Sequence, residues 1–164
     1  MRMRRTFAAT CLAATLLAAS GASAATTVSF AAPETYTDGN LGWSAVDQRL
    51  TLEGLKRVFH GLASQYLPRD AVLEVTVLNL DLAGRINPVR SGAGELRIMR
   101  GDTWPSMKLR YVLRRNGRII ARGEDSLRAM NYLTRPSARS SEPLRFEKTM
   151  LADWFRTRLA PAIG

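Results

Sequence analysis

The dipeptide Asn116-Gly117 constrains the fold most, because it stands between two runs in which apolar and polar residues alternate. A two-residue β-hairpin turn requires positive φ at both central positions, and Asn-Gly meets that requirement well. The sequence therefore predicts two antiparallel strands, over 106–115 and 118–124. The expected cross-strand pairs are Leu113 with Ile120, Arg114 with Ile119, and Val112 with Ala121.

The alternation gives the strand over 106–115 two different faces, since successive side chains of a strand point to opposite sides of the sheet. Met107, Leu109, Tyr111 and Leu113 fall on an apolar face. Lys108, Arg110 and Arg114 fall on the other face, while Arg115 and Arg118 come together at the tip of the hairpin. We therefore expect these five cations to share one end of the sheet and to be solvated.

Hydrophobic periodicity predicts the other elements. Strands are expected over 26–30, 72–82 and 95–100. An amphipathic helix is expected over 44–66, with its buried face formed by Val46, Leu50, Leu55, Phe59, Leu62 and Tyr66. A C-terminal helix is expected to begin with Ser141 as its N-cap and to bury Phe146, Met150, Leu151, Trp154, Phe155 and Leu159.

These elements follow one another in the order β-α-β-β-β-β-α. The order is typical of an α+β fold, with a four- to five-stranded, mainly antiparallel sheet and two helices on one face.

Residues 1–24 are typical of a secretory signal peptide. Early arginines precede an apolar run over 7–19, and the small residues Ala22-Ser23-Ala24 follow. That run is shorter than the roughly 20 residues that a membrane-spanning helix needs, so no transmembrane segment is expected in the mature chain. We expect cleavage after Ala24, a periplasmic location and a single domain over 25–164. Twin-arginine export through Arg4-Arg5 and lipidation at Cys11 are less favoured alternatives.

Residue types exclude several chemistries. The only cysteine, Cys11, leaves with the signal peptide, and the only histidine is His60, which we expect to be a half-exposed structural residue. Zinc or copper sites of the usual ligand types are therefore not expected. Gly92 and Gly94 lack the third glycine and helix start of a dinucleotide site. We predict no metal and no cofactor.

Carboxylates near two loops allow an enzymatic alternative. Envelope glycosidases use two carboxyl groups roughly 5 to 9 Å apart, and Asp81 and Asp102 both stand near predicted sheet ends. Local structure explains the same residues, however, since Asp81 can pair with Arg85 and Asp102 suits a turn. A small envelope hydrolase using Asp81 or Asp102 is therefore an alternative to a protein without catalytic residues.

Four blocks occur in order behind the leader: VLNLDLAGR (77–85), TWPSMKLRYVL (103–113), AMNYL (129–133) and LRFEKTMLADWF (144–155). With the initial VSF they resemble a family of small secreted proteobacterial proteins catalogued as a domain of unknown function (domain of unknown function 3016). The resemblance covers nearly the whole mature chain. It implies a Gram-negative periplasm and one domain, but no activity and no catalytic residues.

The distribution of charge is the strongest functional signal. The chain has 24 basic and 14 acidic residues, and the segment 85–128 alone carries eleven basic residues against four acidic ones. A solvated strand face that protects an edge from unwanted pairing explains part of this surplus. The functional interpretation is a non-enzymatic binding or accessory domain.

The expected partner of that domain is an anionic envelope component, either a lipid head group, lipopolysaccharide or an acidic protein. Trp104 is a candidate aromatic anchor beside the cations, although packing over the sheet edge is the favoured explanation. Export and the lack of interleaved aromatic residues argue against nucleic acid. A structural envelope factor without a discrete ligand is the third possibility.

Overall fold

The main feature of the computed structural model, which describes residues 24–38, 41, 44–86 and 97–164, is a four-stranded mixed sheet. Its strands are β1 (Ala25–Phe30), β2 (Ala71–Asp81), β5 (Ser106–Arg115) and β6 (Arg118–Arg128), in the order β1-β2-β5-β6. β1 pairs parallel with β2, and the other two pairings are antiparallel. With the helices α1 (Ala45–Tyr66) and α2 (Arg145–Trp154), this arrangement confirms the α+β class.

The strand expected over 95–100 does not join the main sheet. Only β4 (Arg97–Ile98) is extended there, and it pairs with β3 (Arg85–Ile86) in a separate two-stranded sheet. A two-residue ladder offers few hydrogen bonds, so this small sheet depends on side-chain contacts with its surroundings. The glycines at 92 and 94 lie outside the described residues.

The hairpin turn is as expected, with φ of 50° at Asn116 and 75° at Gly117. Next to the turn, Arg114 pairs with Ile119, as predicted. Farther away the expected register is wrong, because the ladder shifts between Leu113 and Arg114. The resulting pairs are Leu113 with Ala121 and Val112 with Arg122. A β-bulge places two residues opposite one and so moves every later pair by one position, which turn chemistry alone does not specify.

One face of the sheet forms the core against the two helices. The predicted apolar row of β5 (Met107, Leu109, Tyr111 and Leu113) is buried, and Leu73, Val75 and Val77 of β2 continue it. Helix α1 contributes Leu55 and Phe59, both fully buried, as the sequence predicted. The Phe59 ring lies 6.4 Å from that of Phe155, the residue that directly follows α2. This contact joins the two helices above the sheet.

The first turns of α1 contradict the expected helix face. Ser44 caps the helix by accepting a hydrogen bond from the Asp47 backbone N–H, at 3.1 Å. Val46 and Leu50 are 52% and 59% exposed, although both were expected in the core. Their angular positions about the helix axis explain this exposure. The spacing of five from Leu50 to Leu55 turns the helix by about 140° beyond a full turn, so the two groups lie on opposite sides.

Helix α2 begins later than expected. Ser141 does not cap it, because Leu144, with φ of 56°, occupies the N-cap position and the helix starts at Arg145. The residue before a proline disfavours the helical conformation, which acts against a helical Glu142 ahead of Pro143. At its other end, the Trp154 indole N–H donates to Asp125 of β6 at 2.9 Å. No helix in the described part of the chain combines the length and apolar character that crossing a membrane requires.

Candidate functional site

The face of the sheet that the helices leave uncovered carries the predicted cations. Register and alternation place seven charged residues on this open face, which we define as Glu74, Lys108, Arg110, Arg114, Arg122, Glu124 and Arg128. All seven side chains are exposed or half-buried. The open face therefore carries five cations and two carboxylates, which is a surplus of three positive charges.

Three of the five cations have carboxylate partners. Arg110 donates to Glu124 Oε1 at 2.9 Å from Nε and 2.6 Å from Nη2, and Lys108 Nζ lies 3.6 Å from Glu124 Oε2. The hydrogen bond from Arg110 lowers the pKa of Glu124. Arg114 pairs with Glu74, a residue of the neighbouring strand. Since exposed ion pairs contribute only about 0–1 kcal/mol, these partners can be exchanged for an external anion at little cost.

Arg122 and Arg128 differ from the other three cations. Both side chains are exposed, and neither has an ion pair or hydrogen bond within the described residues. They lie on the edge strand β6, on either side of Glu124. Sequence reasoning counted both in the basic segment but did not include them among the candidate binding residues. The expected register placed Arg122 opposite Tyr111 of the apolar row, whereas the structure pairs it with Val112. The predicted fifth strand ended at 124, before Arg128.

The tip of the hairpin belongs to the other side of the sheet. Arg115 donates from Nε to Asp70 at 2.8 Å and from Nη1 to the Ile163 carbonyl oxygen at 3.0 Å, beside the C-terminal helix. Its hydrogen bond lowers the pKa of Asp70. Arg118, which pairs with Arg115 in the register, is exposed. The five cations expected at one place are therefore divided between two faces of the sheet.

Trp104 packs against the hydrophobic core as a half-buried side chain. Pro105, which follows it, is buried, and β5 begins directly afterwards. The residue therefore covers the end of the sheet. It lies away from the centre of the open face, where an aromatic anchor for a partner would be expected.

The loop carboxylates have local structural roles. Arg85 donates from Nη1 to Asp81 Oδ1 at 2.6 Å and from Nη2 to Asp81 Oδ2 at 3.0 Å. These hydrogen bonds raise the pKa of the Arg85 guanidinium. Asp102 is exposed in the turn that precedes Trp104. Both positions agree with the local explanations drawn from the sequence. Both Asp81 oxygens are occupied by Arg85, so this arrangement gives the hydrolase alternative no support.

A buried ionic group lies at this end of the sheet, and sequence reasoning missed it. Arg97 Nη2 donates to Asp38 Oδ2 at 2.8 Å, and its Nη1 donates to the Gly84 carbonyl oxygen at 3.0 Å. Glu147, 3% exposed, accepts a hydrogen bond from the Ala83 backbone N–H at 2.8 Å. Burial raises the pKa of both Asp38 and Glu147. These contacts fix the chain at 82–84, where the main sheet passes into the small one.

His60 is exposed on α1. Across the residues that the structure describes, no three His, Cys, Asp or Glu side chains come together as a group that could hold a metal ion.

Comparison with known proteins gives one match. The model of the family described as "Protein of unknown function (DUF3016)" matches residues 24–157, which include all six strands and both helices described above. No curated protein and no solved structure matches the chain.

Proposed function

The chain belongs to the DUF3016 family, and since this membership implies no activity, we propose from the site that it is a non-enzymatic periplasmic binding or accessory domain. Its open face contacts an anionic envelope surface, namely the phosphates of lipid head groups or of lipopolysaccharide. The observation that carries the proposal is the surplus of cations on an uncovered sheet, with Arg122 and Arg128 unpaired within the described residues.

The geometry of the open face suits a surface better than a small ligand. Its cations lie on two adjacent strands, where neighbouring side chains are about 5 to 7 Å apart, and they project from the same side of the sheet. Several phosphates of a flat surface can therefore be contacted together. Each cation near an anionic membrane contributes about 1 kcal/mol, so five cations give useful attraction without a pocket.

The test is retention on vesicles that contain an anionic phospholipid, and on lipopolysaccharide, at low and physiological salt. The double variant Arg122→Glu/Arg128→Glu should lose more than about 30-fold in affinity, the factor expected for removing two such cations. Binding by the unchanged protein should weaken as salt rises, because the Debye length falls to about 8 Å at physiological ionic strength.

The matched control is Arg69→Glu/Arg139→Glu, which makes the same change in net charge at two exposed arginines off the open face. It should retain most of the binding. Equal losses in both double variants would mean that only net charge matters. No binding at low salt would contradict the proposal and would leave the open face as a solvated surface. Crosslinking to an acidic protein would instead identify that class of partner.

A further inference from the structure

On the helix-covered side of the sheet, a pocket of about 380 Å³ lies between α1, α2 and the short 3-10 helix Pro136–Arg139. Polar side chains from all three elements line it, among them Gln65, Ser137, Arg145 and Arg156. The volume is within the range of small-molecule sites.

Two of these lining residues carry buried polar atoms without a partner. Ser137 Oγ and Arg145 Nε are the only buried side-chain nitrogen or oxygen atoms without a hydrogen bond within the part of the chain that the structure describes. Buried polar groups are nearly always hydrogen-bonded, so each of these two atoms calls for a partner that the described residues do not supply. A guanidinium N–H can only donate, and a hydroxyl can also donate, so a molecule that pairs with both must offer an acceptor.

The charges of the pocket favour an anion as that acceptor. Its lining contains three cations, Arg145, Lys148 and Arg156, against the carboxylates of Glu142 and Asp153. Lys148 pairs with Glu142 at 3.0 Å, and Arg156 pairs with Asp153 at 2.7 Å, both at the exposed rim. Arg145 makes no salt bridge among the described residues and stacks on Phe146, 4.4 Å from the ring centroid. Cations in the pocket lining therefore outnumber carboxylates by one.

A groove of about 530 Å³ adjoins the pocket along α1 and shares Leu62 with it. Val58 and Leu144 give this groove an apolar lining. Gly61 lies in it as well, and a Cβ at that position would meet no atom within 4 Å. The groove therefore has room for an apolar group next to the polar pocket.

We propose that the pocket and groove together bind a small amphipathic anion. Its carboxylate or phosphate group accepts hydrogen bonds from Ser137 Oγ and Arg145 Nε, and its apolar part lies along α1 beside Gly61. This site is on the opposite side of the sheet from the open face and does not depend on the function proposed for that face.

Calorimetric titration with octanoate and octyl phosphate, compared with acetate and inorganic phosphate, tests the proposal. The octyl compounds should bind more tightly than their short counterparts. Ser137→Ala and Arg145→Met should each weaken both octyl compounds about tenfold, the usual loss for one hydrogen bond to a charged group. Ser137→Ala should leave the melting temperature unchanged or higher, because it removes an unpaired hydroxyl.

Gly61→Leu fills the groove and should weaken octanoate while leaving inorganic phosphate unaffected. Arg139→Gln, on the same 3-10 helix but outside the pocket lining, should change neither. The open-face variant Arg122→Glu/Arg128→Glu should also bind octanoate normally. The proposal is wrong if octanoate and octyl phosphate do not bind at millimolar concentration, or if Ser137→Ala and Arg145→Met bind them as the unchanged protein does.

Discussion

Glu147 shows at the scale of one residue how burial changes a carboxyl group. Its side chain is almost fully enclosed under α2, and desolvation raises its pKa above the ordinary value of 4.5. A carboxyl group whose pKa is higher in the folded state holds more protons when folded than when unfolded. The free energy of unfolding must then fall as pH rises from 4.5 through the raised pKa.

Glu147→Gln should remove this loss of stability. The amide oxygen can still accept from the Ala83 N–H, but it does not ionise. Thermal melts followed by circular dichroism should therefore give similar melting temperatures near pH 4 and a higher one for the variant at pH 8. Glu142→Gln makes the same change at an exposed side chain and should alter little at any pH. Parallel curves for Glu147→Gln and the unchanged protein would show that Glu147 is not the source.

Sequence separation decides which of these residues could be predicted. Asp81 and Arg85 are four positions apart, so their pairing followed from local spacing. Asp38 and Arg97 are far apart in the chain and meet only because the small sheet brings them together. Glu147 did leave a signal, since it precedes Leu151 by four positions and so shares a buried helical face.

At the scale of the element, α1 has two apolar stripes with different environments. Leu55 and Phe59 are fully buried against the sheet, whereas Val46 and Leu50 lie on the opposite side of the helix and are exposed. The apolar spacings of three and four predicted the helix correctly, although the spacing of five between Leu50 and Leu55 departs from the pattern of a single helical face. The spacings did not separate the stripes, which requires the angle of each position about the helix axis.

Leu55→Asp and Leu50→Asp should therefore differ sharply. The first removes about 1.5–3 kcal/mol of burial and adds an unpaired buried charge, so the domain, with a typical stability of 5–15 kcal/mol, should lose much of its folded population. The second changes an exposed side chain and should shift stability by about 0.5 kcal/mol or less. Urea unfolding measures both, and a large loss for Leu50→Asp would mean that another surface covers that stripe.

At the scale of the whole molecule, the sequence predicted where positive charge concentrates but not which cations are available. The basic segment 85–128 contains all five cations of the open face. Whether a cation is available to an external anion depends on carboxylates from neighbouring strands. Glu74 of β2 forms an ion pair with Arg114, and Glu124 of β6 forms ion pairs with both Arg110 and Lys108. Arg122 and Arg128 remain unpaired in the described chain only because the bulge and the added length of β6 set their positions.

The proposed export gives a prediction about the mature N-terminus. Cleavage after Ala24 would leave Ala25, the first residue of β1, as the new terminus. Intact-mass measurement of protein from the periplasmic fraction should give the mass of residues 25–164. A mass that includes the leader, or one increased by a lipid at Cys11, would contradict it.

The parallel pairing of β1 with β2 has a consequence for the order of folding. Ala25 lies opposite Val72, so the whole of α1 separates two strands that must meet, whereas β5 and β6 are joined by two residues. Closing a long loop costs more entropy than closing a hairpin, and contacts between distant segments form more slowly. Although β1 is synthesised before β2, β5 and β6, we therefore expect it to be among the last of these strands to find its neighbour.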